Sequence, residues 1–357
     1  MTKYEKNGPV RLARRDVLMR GGAGVLGTMI AASTVNMAGA QTPSADKVMA
    51  NLKSLNMGDF NPNYANQWPF RLAQSLGFLE DGGIENLEIT LTDEYVPGLV
   101  GGSLDMAHGD TSEFLAAGHA SGLPITIISM HRDKEWWIMG VGEGIETPED
   151  LKGSTITGGS LAGRNTWIMR QVLTKMGLDP NSDVSFVPSS GGSDSRLGAV
   201  INGSVDGASL FPRHRAPLEE SGGKFIFEEL VDAPQEGFAV MGDWLEQNAD
   251  TAQAWLVADL KARQWLMNPE NKERAYQIMI DLGYEIPDSF RALYDVELAQ
   301  LSRDGGFEDA AAMQEFVEAL AITGSLPEGL DWKPYFDFTY LWAAQEAVGM
   351  PKRPAAL

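Results

Sequence analysis

The residues best suited to chemistry stand in short polar segments that open helices. Gly158 to Asn165 reads GGSLAGRN, so a glycine-rich backbone, the Ser160 hydroxyl, the Arg164 guanidinium and the Asn165 amide meet at one helix start. Unpaired backbone N–H groups there favour negative charge and a guanidinium adds a two-pronged donor, which makes a cradle for an anion or a carbonyl oxygen. Asp110, Thr111 and Ser112 form a second such segment, with Asp110 and Glu113 spaced as a capping box. Residues 61–68 and 190–195 are two more. Trp68, Trp136 and Phe211 supply flat faces on which a planar ligand can stack, and Arg213, within Arg213-His214-Arg215, supplies a cation in an otherwise acidic chain. Each has a structural alternative: helix capping for Thr111 and Ser112, core packing for the rings, a solvated loop for the basic cluster. Trp136 and Trp137 are adjacent on a strand and face opposite sides, so at most one of them reaches a cleft. What these residues offer is hydrogen bonding, ion pairing and stacking, with no bond broken.

Groups that make or break bonds show no working pattern. His108, His119, His131 and His214 are scattered without His-Glu-x-x-His spacing, and the chain has no cysteine, so neither a metal set nor a disulfide is indicated. Ser160 and Ser193 lie outside any Gly-x-Ser-x-Gly elbow. SSGGSDSR, from Ser189, lacks the Gly-Lys-Ser/Thr of a phosphate-binding loop, and no Gly-x-Gly-x-x-Gly follows a strand. The expectation is no catalytic residue, no metal and no cofactor.

The elements that must position these segments alternate between strand and helix periods. An apolar helical face runs from Tyr64 to Leu79, then a strand from Ile84 to Asp93, a short helix at Val96 to Val100, a strand at Leu104 to Ala107 and a helix from Asp110 to Ala120. Ile125 to Met130 reads as a buried strand. A second unit opens near Trp136 with another strand, then TPEDLKG with Pro148 at a first helical position, a strand at Ser154 to Thr157, a helix to Met176, a strand at Val184 to Val187 and a helix from Arg196 to Asn202. Beyond Ala239 the pattern is almost wholly helical. Gly-Ser-apolar-Asp occurs at Gly102 to Asp105 and again at Gly203 to Asp206, each time followed by a helix-length segment, a glycine step and an apolar strand. That repeat predicts two similar α/β lobes with a cleft between them.

The first forty residues read as an address. Arg14 and Arg15 precede a Gly/Ala-rich, moderately apolar run ending at Ala38-Gly39-Ala40, the pattern of a twin-arginine export signal cleaved near Ala40. The run is too diluted by polar and small residues to anchor in a bilayer. The chain of 357 residues carries 28 Lys plus Arg against 49 Asp plus Glu, and the signal takes six basic and only two acidic residues with it. Such a balance argues against nucleic acid or anionic lipid as a partner, and an anionic ligand would need locally concentrated donors.

An ordered set of segments resembles the periplasmic solute-binding proteins of ABC transporters, in the nitrate, sulfonate and taurine group that includes binders of thiamine-precursor pyrimidines. The carriers are AQSLGFLEDGGI (from Ala73), GGSLDMAH (from Gly101), ASGLPITIIS (from Ala120), TPEDLKGSTI (from Thr147), VLTKMGLDPNSDVSFVP (from Val172) and NGSVDGASL (from Asn202). The resemblance implies an α/β, two-lobed periplasmic binding protein type II fold with a helical C-terminal region. Residues 1–40 would be the signal, 41–131 the first lobe, 132–240 the second, and 241–357 helices packing back on the first. It implies a periplasmic monomer that closes on a sulfonate, a carboxylate or a planar heterocycle and delivers it to a membrane permease whose ATPase is on other chains, after export by the twin-arginine translocase. Trp68, Asp110, Thr111, Ser112, Trp136, Ser160, Arg164, Asn165, Phe211 and Arg213 are the expected contacts. The alternatives are a twin-arginine-exported enzyme, or a pyrimidine synthase of the yeast type on the same fold, whose Cys-rich signature this cysteine-free chain lacks.

Overall fold

The computed structural model describes residues 48–60 and 65–357, all within one compact unit, Thr42–Leu357. The expected export signal, its cleavage point and residues 61–64 lie outside the described residues. The first half of the fold contains β1 (Ser54–Asp59), α1 (Pro69–Ser75), α2 (Phe78–Asp81), β2 (Asn86–Leu91), α3 (Tyr95–Val100), β3 (Met106–Asp110) and α4 (Thr111–Ser121). The single helix expected from Tyr64 to Leu79 is instead a 3-10 turn at Ala65–Gln67 followed by α1 and α2. Pro69 sets the start of α1, and Gly77, at φ 78°, breaks it from α2.

A long strand β4 (Ile125–Val141) then leads into β5 (Thr155–Thr157), α5 (Arg164–Lys175), β6 (Ser185–Phe186), α6 (Gly192–Ile201), β7 (Gly207–Ser209) and α7 (Arg215–Glu220), and β8 (Lys224–Met241) returns. The tail is helical: α8 (Gly242–Gln247), α9 (Ala249–Met267), α10 (Lys272–Asp281), α11 (Asp288–Leu298), α12 (Ala310–Ile322) and α13 (Thr339–Ala347). The strands form one sheet in the order β2-β1-β3-β8-β4-β7-β5-β6.

Two features make this sheet two-lobed. β4 and β8 are 17 and 18 residues long, pair antiparallel along nearly their whole length, and belong to both halves. The separate strands expected at Ile125 to Met130 and from Trp136 are therefore one strand crossing between the lobes. Each lobe also has its own core. One large cluster joins β1, β3, the start of β4 and the end of β8 to α9, α12 and α13. In the other lobe Met139 and Val141 pack with α5, while the alternate residue Ile138 packs with Val200, Leu210 and Leu218, so the sheet is covered on both faces.

Strand direction fixes where the polar segments go. β3 and β4 both run antiparallel to β8, so β3 and its parallel neighbour β1 end facing the second lobe. β7 runs antiparallel to β4, so β7 and its parallel neighbour β5 end facing the first. The strands that lead into α4 and α5 thus end toward each other along the crossing strands, and the carboxyl ends of strands are where α/β sheets bind ligands.

Candidate functional site

A chain of alternating charges runs along the crossing strands. It starts at Asp59, the last residue of β1, which is fully buried and accepts from Arg71 Nη2 at 2.5 Å and from His108 Nδ1 at 2.8 Å. The other ring nitrogen of His108 faces Glu236 Oε2 at 3.4 Å. Glu236, on β8, also accepts from Arg132 Nη1 at 2.6 Å and Gln67 Nε2 at 3.0 Å. Arg132 in turn donates to Gln235 Oε1 at 2.9 Å and to Gln300 Oε1 at 2.7 Å. Gln235 passes the chain on, donating to Glu135 at 2.8 Å. Glu135 ends it in a two-pronged pair with Arg164 at 2.6 and 2.5 Å. The network therefore links β1 of the first lobe to the first residue of α5 in the second.

The electrostatics follow from this alternation. Burial alone would lower the pKa of His108, but Asp59 and Glu236 outweigh it and raise it to about 9, so the ring is an imidazolium at neutral pH. Burial likewise pushes Glu236 up, while Arg132, His108 and Gln67 hold it down at about 2. His131 is lowered well below its ordinary value by burial, then by His108 and Arg263, against a raising contribution from the Asn66 backbone and with a further lowering by Arg132.

His108, His131 and Glu236 lie close enough for one metal ion, with potential ligand atoms within 4.8 Å of one another. Sequence spacing gives no sign of this grouping, because the three come from three different strands. Their chemistry fits an ion-pair network better than a metal. Arg263 Nη2 approaches His131 Nδ1 at 3.4 Å, and because a guanidinium only donates, that nitrogen must accept, which leaves the proton on Nε2. Both nitrogens of His108 face carboxylates, and Arg71, Arg132 and Arg263 already supply three cations.

The expected contacts fall into three groups. Asp110, Thr111 and Ser112 sit where β3 ends and α4 begins, at the end of β3 that points toward the second lobe. Asp110 occupies the N-cap with extended backbone, but its side chain accepts no cap bond, and Glu113 instead accepts the Tyr95 hydroxyl at 2.6 Å. The capping box expected there is not formed. The Asp110 carboxyl makes no hydrogen bond or ion pair among the described residues, and burial, with Glu236 and Glu113 nearby, raises its pKa to about 6 against the pull of Arg132 and His108. Thr111 is fully buried with its hydroxyl unpaired, so it is not the cap its position suggests.

Ser160, Arg164 and Asn165 form the facing group. Ser160 is exposed, and its carbonyl accepts from the Gly163 N–H and the Thr166 hydroxyl. Asn165 is half-buried. Arg164 is committed to Glu135, and its guanidinium carbon lies 5.4 Å from the Phe316 ring, at the edge of a groove of about 490 Å³ walled by Trp137, Trp167 and α12.

The aromatic group is dispersed. Trp68 is buried in the first lobe's core, stacked on Phe290 with centroids 5.3 Å apart and rings 3° from parallel, with Tyr276 and Tyr294 around it. Trp136 is half-buried and donates to the Val296 carbonyl at 3.0 Å. Phe211 is half-buried, with the Arg213 guanidinium 5.0 Å from its centroid. Arg213 itself is exposed and donates to the Ser193 hydroxyl at 2.6 Å, while His214 binds Asp194 at 3.0 Å and Arg215 pairs with Glu228. The basic cluster is thus tied into its own lobe. Sequence reasoning missed Asp59, His108, Glu135 and Glu236; the signal available was a charged residue inside an otherwise apolar strand.

Relatives share this build. A family model described as NMT1/THI5 like matches residues 64–272. The nitrate/nitrite binding protein NrtA of Nostoc sp. (strain PCC 7120 / SAG 25.82 / UTEX 2576) is 33% identical over 140 residues, covering 37% of this chain and 30% of that protein, so the match spans under a third of that relative. The crystal structure of the periplasmic nitrate-binding protein NrtA from Synechocystis PCC 6803 aligns with a TM-score of 0.63 at 18% identity, over 86% of this chain and 92% of that one. The periplasmic sulfonate-binding protein SsuA from Methylobacillus flagellatus KT aligns at 0.64 and 18%, over 86% and 99%. At such identities the two structures speak for the fold alone, and the fold is that of periplasmic binding proteins. The family match, by contrast, covers more than half of the sequence and runs through both lobes, and the chain accordingly belongs to the NMT1/THI5-like family.

Proposed function

We propose that this protein is the periplasmic solute-binding component of an ABC importer, exported by a twin-arginine signal, which closes its two lobes on a small organic ligand and delivers it to a membrane permease. Ligand contacts on both lobes stabilise the closed form, and closure is the signal the permease reads. The fold supports this reading: among the described residues two separately cored lobes are joined by the paired strands β4 and β8 and by the returning tail, and the strands leading into α4 and α5 end toward each other. Among the described residues no helix is long and apolar enough to cross a membrane.

For the ligand, we infer a small planar heterocycle carrying N–H donors, of the aminopyrimidine kind, in preference to a free anion. One observation carries this: the Asp110 carboxyl stands half-buried at the end of β3, with no hydrogen bond or ion pair among the described residues, beside the buried and likewise unpaired Thr111 hydroxyl. A carboxyl poised near pH 6 both accepts and donates, which matches a ring nitrogen flanked by an amino group. The relatives named above bind nitrate or sulfonate by name, whereas here Arg164 and Arg132 are each neutralised by a glutamate. A thermal-shift screen of residues 41–357 against aminopyrimidines, aromatic carboxylates, alkyl sulfonates and nitrate tests it. Several degrees of stabilisation by the aminopyrimidines, lost in Asp110→Ala, is the expected result. Stabilisation by nitrate or sulfonate alone would reject the ligand class.

A further inference from the structure

We propose that Glu135 is a specificity-determining residue: by occupying both terminal nitrogens of Arg164 from the crossing strand, it excludes small free anions from the start of α5. This rests on the reading that the interlobe space binds a solute. Glu135 is 5% exposed, yet its carboxylate collects four donors, two from Arg164 at 2.6 and 2.5 Å, one from Gln235 at 2.8 Å and one from the Trp137 indole at 3.1 Å. That many donors, two of them from one guanidinium, fix the carboxylate in place.

The consequence for an incoming anion is twofold. The two nitrogens of Arg164 that would grip it are already engaged, and a full negative charge stands directly behind them in a poorly hydrated site. The same device appears on the first lobe's side. Arg132 is taken by Glu236, Gln235 and Gln300, so Gln235 fastens both arginines into one neutral block. A solute that brings its own N–H donors is not opposed by this block, whereas nitrate or a sulfonate meets terminal nitrogens already engaged by carboxylates, with the Nε of each arginine buried. Without Glu135 the arginine is released while the helix start and backbone stay as they are. Gln in its place keeps the shape and one acceptor oxygen but drops the charge.

The test is titration calorimetry of residues 41–357 with sodium methanesulfonate and sodium nitrate, on wild type, Glu135→Gln and the double variant Glu135→Gln/Arg164→Ala. Methanesulfonate is expected to bind Glu135→Gln at least about tenfold more tightly than wild type, and the double variant is expected to lose that gain. No gain in Glu135→Gln, or a gain that survives removal of Arg164, overturns the assignment. If Glu135→Gln does not fold, Glu135→Ala, which opens room beside Arg164, is judged by the same criterion. Running 4-amino-2-methylpyrimidine alongside separates this inference from the one before it. An anion gain without pyrimidine binding to wild type sinks the ligand class and leaves the role of Glu135 standing; pyrimidine binding without an anion gain does the reverse.

Discussion

Asp105 and Asp206 hold equivalent places in the two lobes: Asp105 Oδ2 accepts the Asn56 backbone N–H at 2.8 Å and Asp206 Oδ2 accepts that of Thr155 at 2.7 Å. Each aspartate also donates its own N–H to the carbonyl of the same residue, at 2.9 and 2.8 Å, closing a two-bond clamp. Gly102 and Gly203 precede them at the same φ of 72°, a left-handed turn that glycine makes at low cost. The repeated Gly-Ser-apolar-Asp is thus a device that starts β3 beside β1 and β7 beside β5. Replacing either aspartate by Ala removes a charge-assisted bond, and a loss of about 1–2 kcal/mol is expected from each. The two sites share no partner, so the double variant should show the sum in urea denaturation. A double variant no worse than either single would show that one lobe does not depend on its clamp.

His108 makes stability fall on the alkaline side. Its pKa is raised from 6.5 to about 9 in the folded protein, so the folded state holds a proton that the unfolded state gives up. The stabilisation is complete below pH 6.5 and is lost as pH climbs through about 9. Melting temperature should therefore decline between those values, and His108→Gln, less stable at pH 6, should decline less steeply. Parallel slopes for the two proteins would place the alkaline loss elsewhere.

What could be read from the sequence follows the physical range of each signal. The short turn that Pro148 opens is local and forms where the sequence puts it, Pro148–Leu151, with Asp150 Oδ2 accepting the Thr147 N–H at 2.8 Å, and the Gly102 to Asp105 repeat carries its geometry with it. The crossing strands were not legible as single strands. Between Met130 and Trp136 the sequence is His-Arg-Asp-Lys-Glu, which looks like a loop because there the strand has left one core and not yet entered the next. The register against β8 also shifts repeatedly between Ile127 and Lys134, which breaks the two-residue period. Asp59 and His108 are 49 residues apart, and Arg132 and Glu236 are 104 apart; only the sheet brings them together. Tryptophans mislead for a related reason, since a large ring is equally suited to a core and to a ligand wall.

Trp68→Ala distinguishes those two roles. The ring is 1% exposed and stacked on Phe290, so its removal leaves a cavity between α1 and the helical tail. A loss of about 3–5 kcal/mol in unfolding free energy is expected. The dissociation constant of a bound solute, measured on protein that remains folded, should stay within about twofold of wild type, well under the 1.4 kcal/mol of a tenfold change. A large loss of affinity with little loss of stability would put Trp68 in the ligand site.

Asp110 should make ligand binding depend on pH near 6. Its carboxyl is raised to about 6 by burial and then by Glu236 and Glu113, so it is largely protonated at pH 5 and largely ionised at pH 7. Because the folded pKa lies above the ordinary 3.8, the free protein is penalised for ionising it, and stability falls as pH rises from about 4 to 6. A ligand that brings a cationic or strongly donating edge favours the ionised form, takes over part of that penalty and displaces the proton. Affinity should then rise from pH 5 to pH 7, with protons released on binding at the lower end. Calorimetry in two buffers of different ionisation heat measures that release directly. In Asp110→Asn both the proton release and the pH dependence should vanish, whereas a ligand held mainly by Arg164 would show neither effect in wild type.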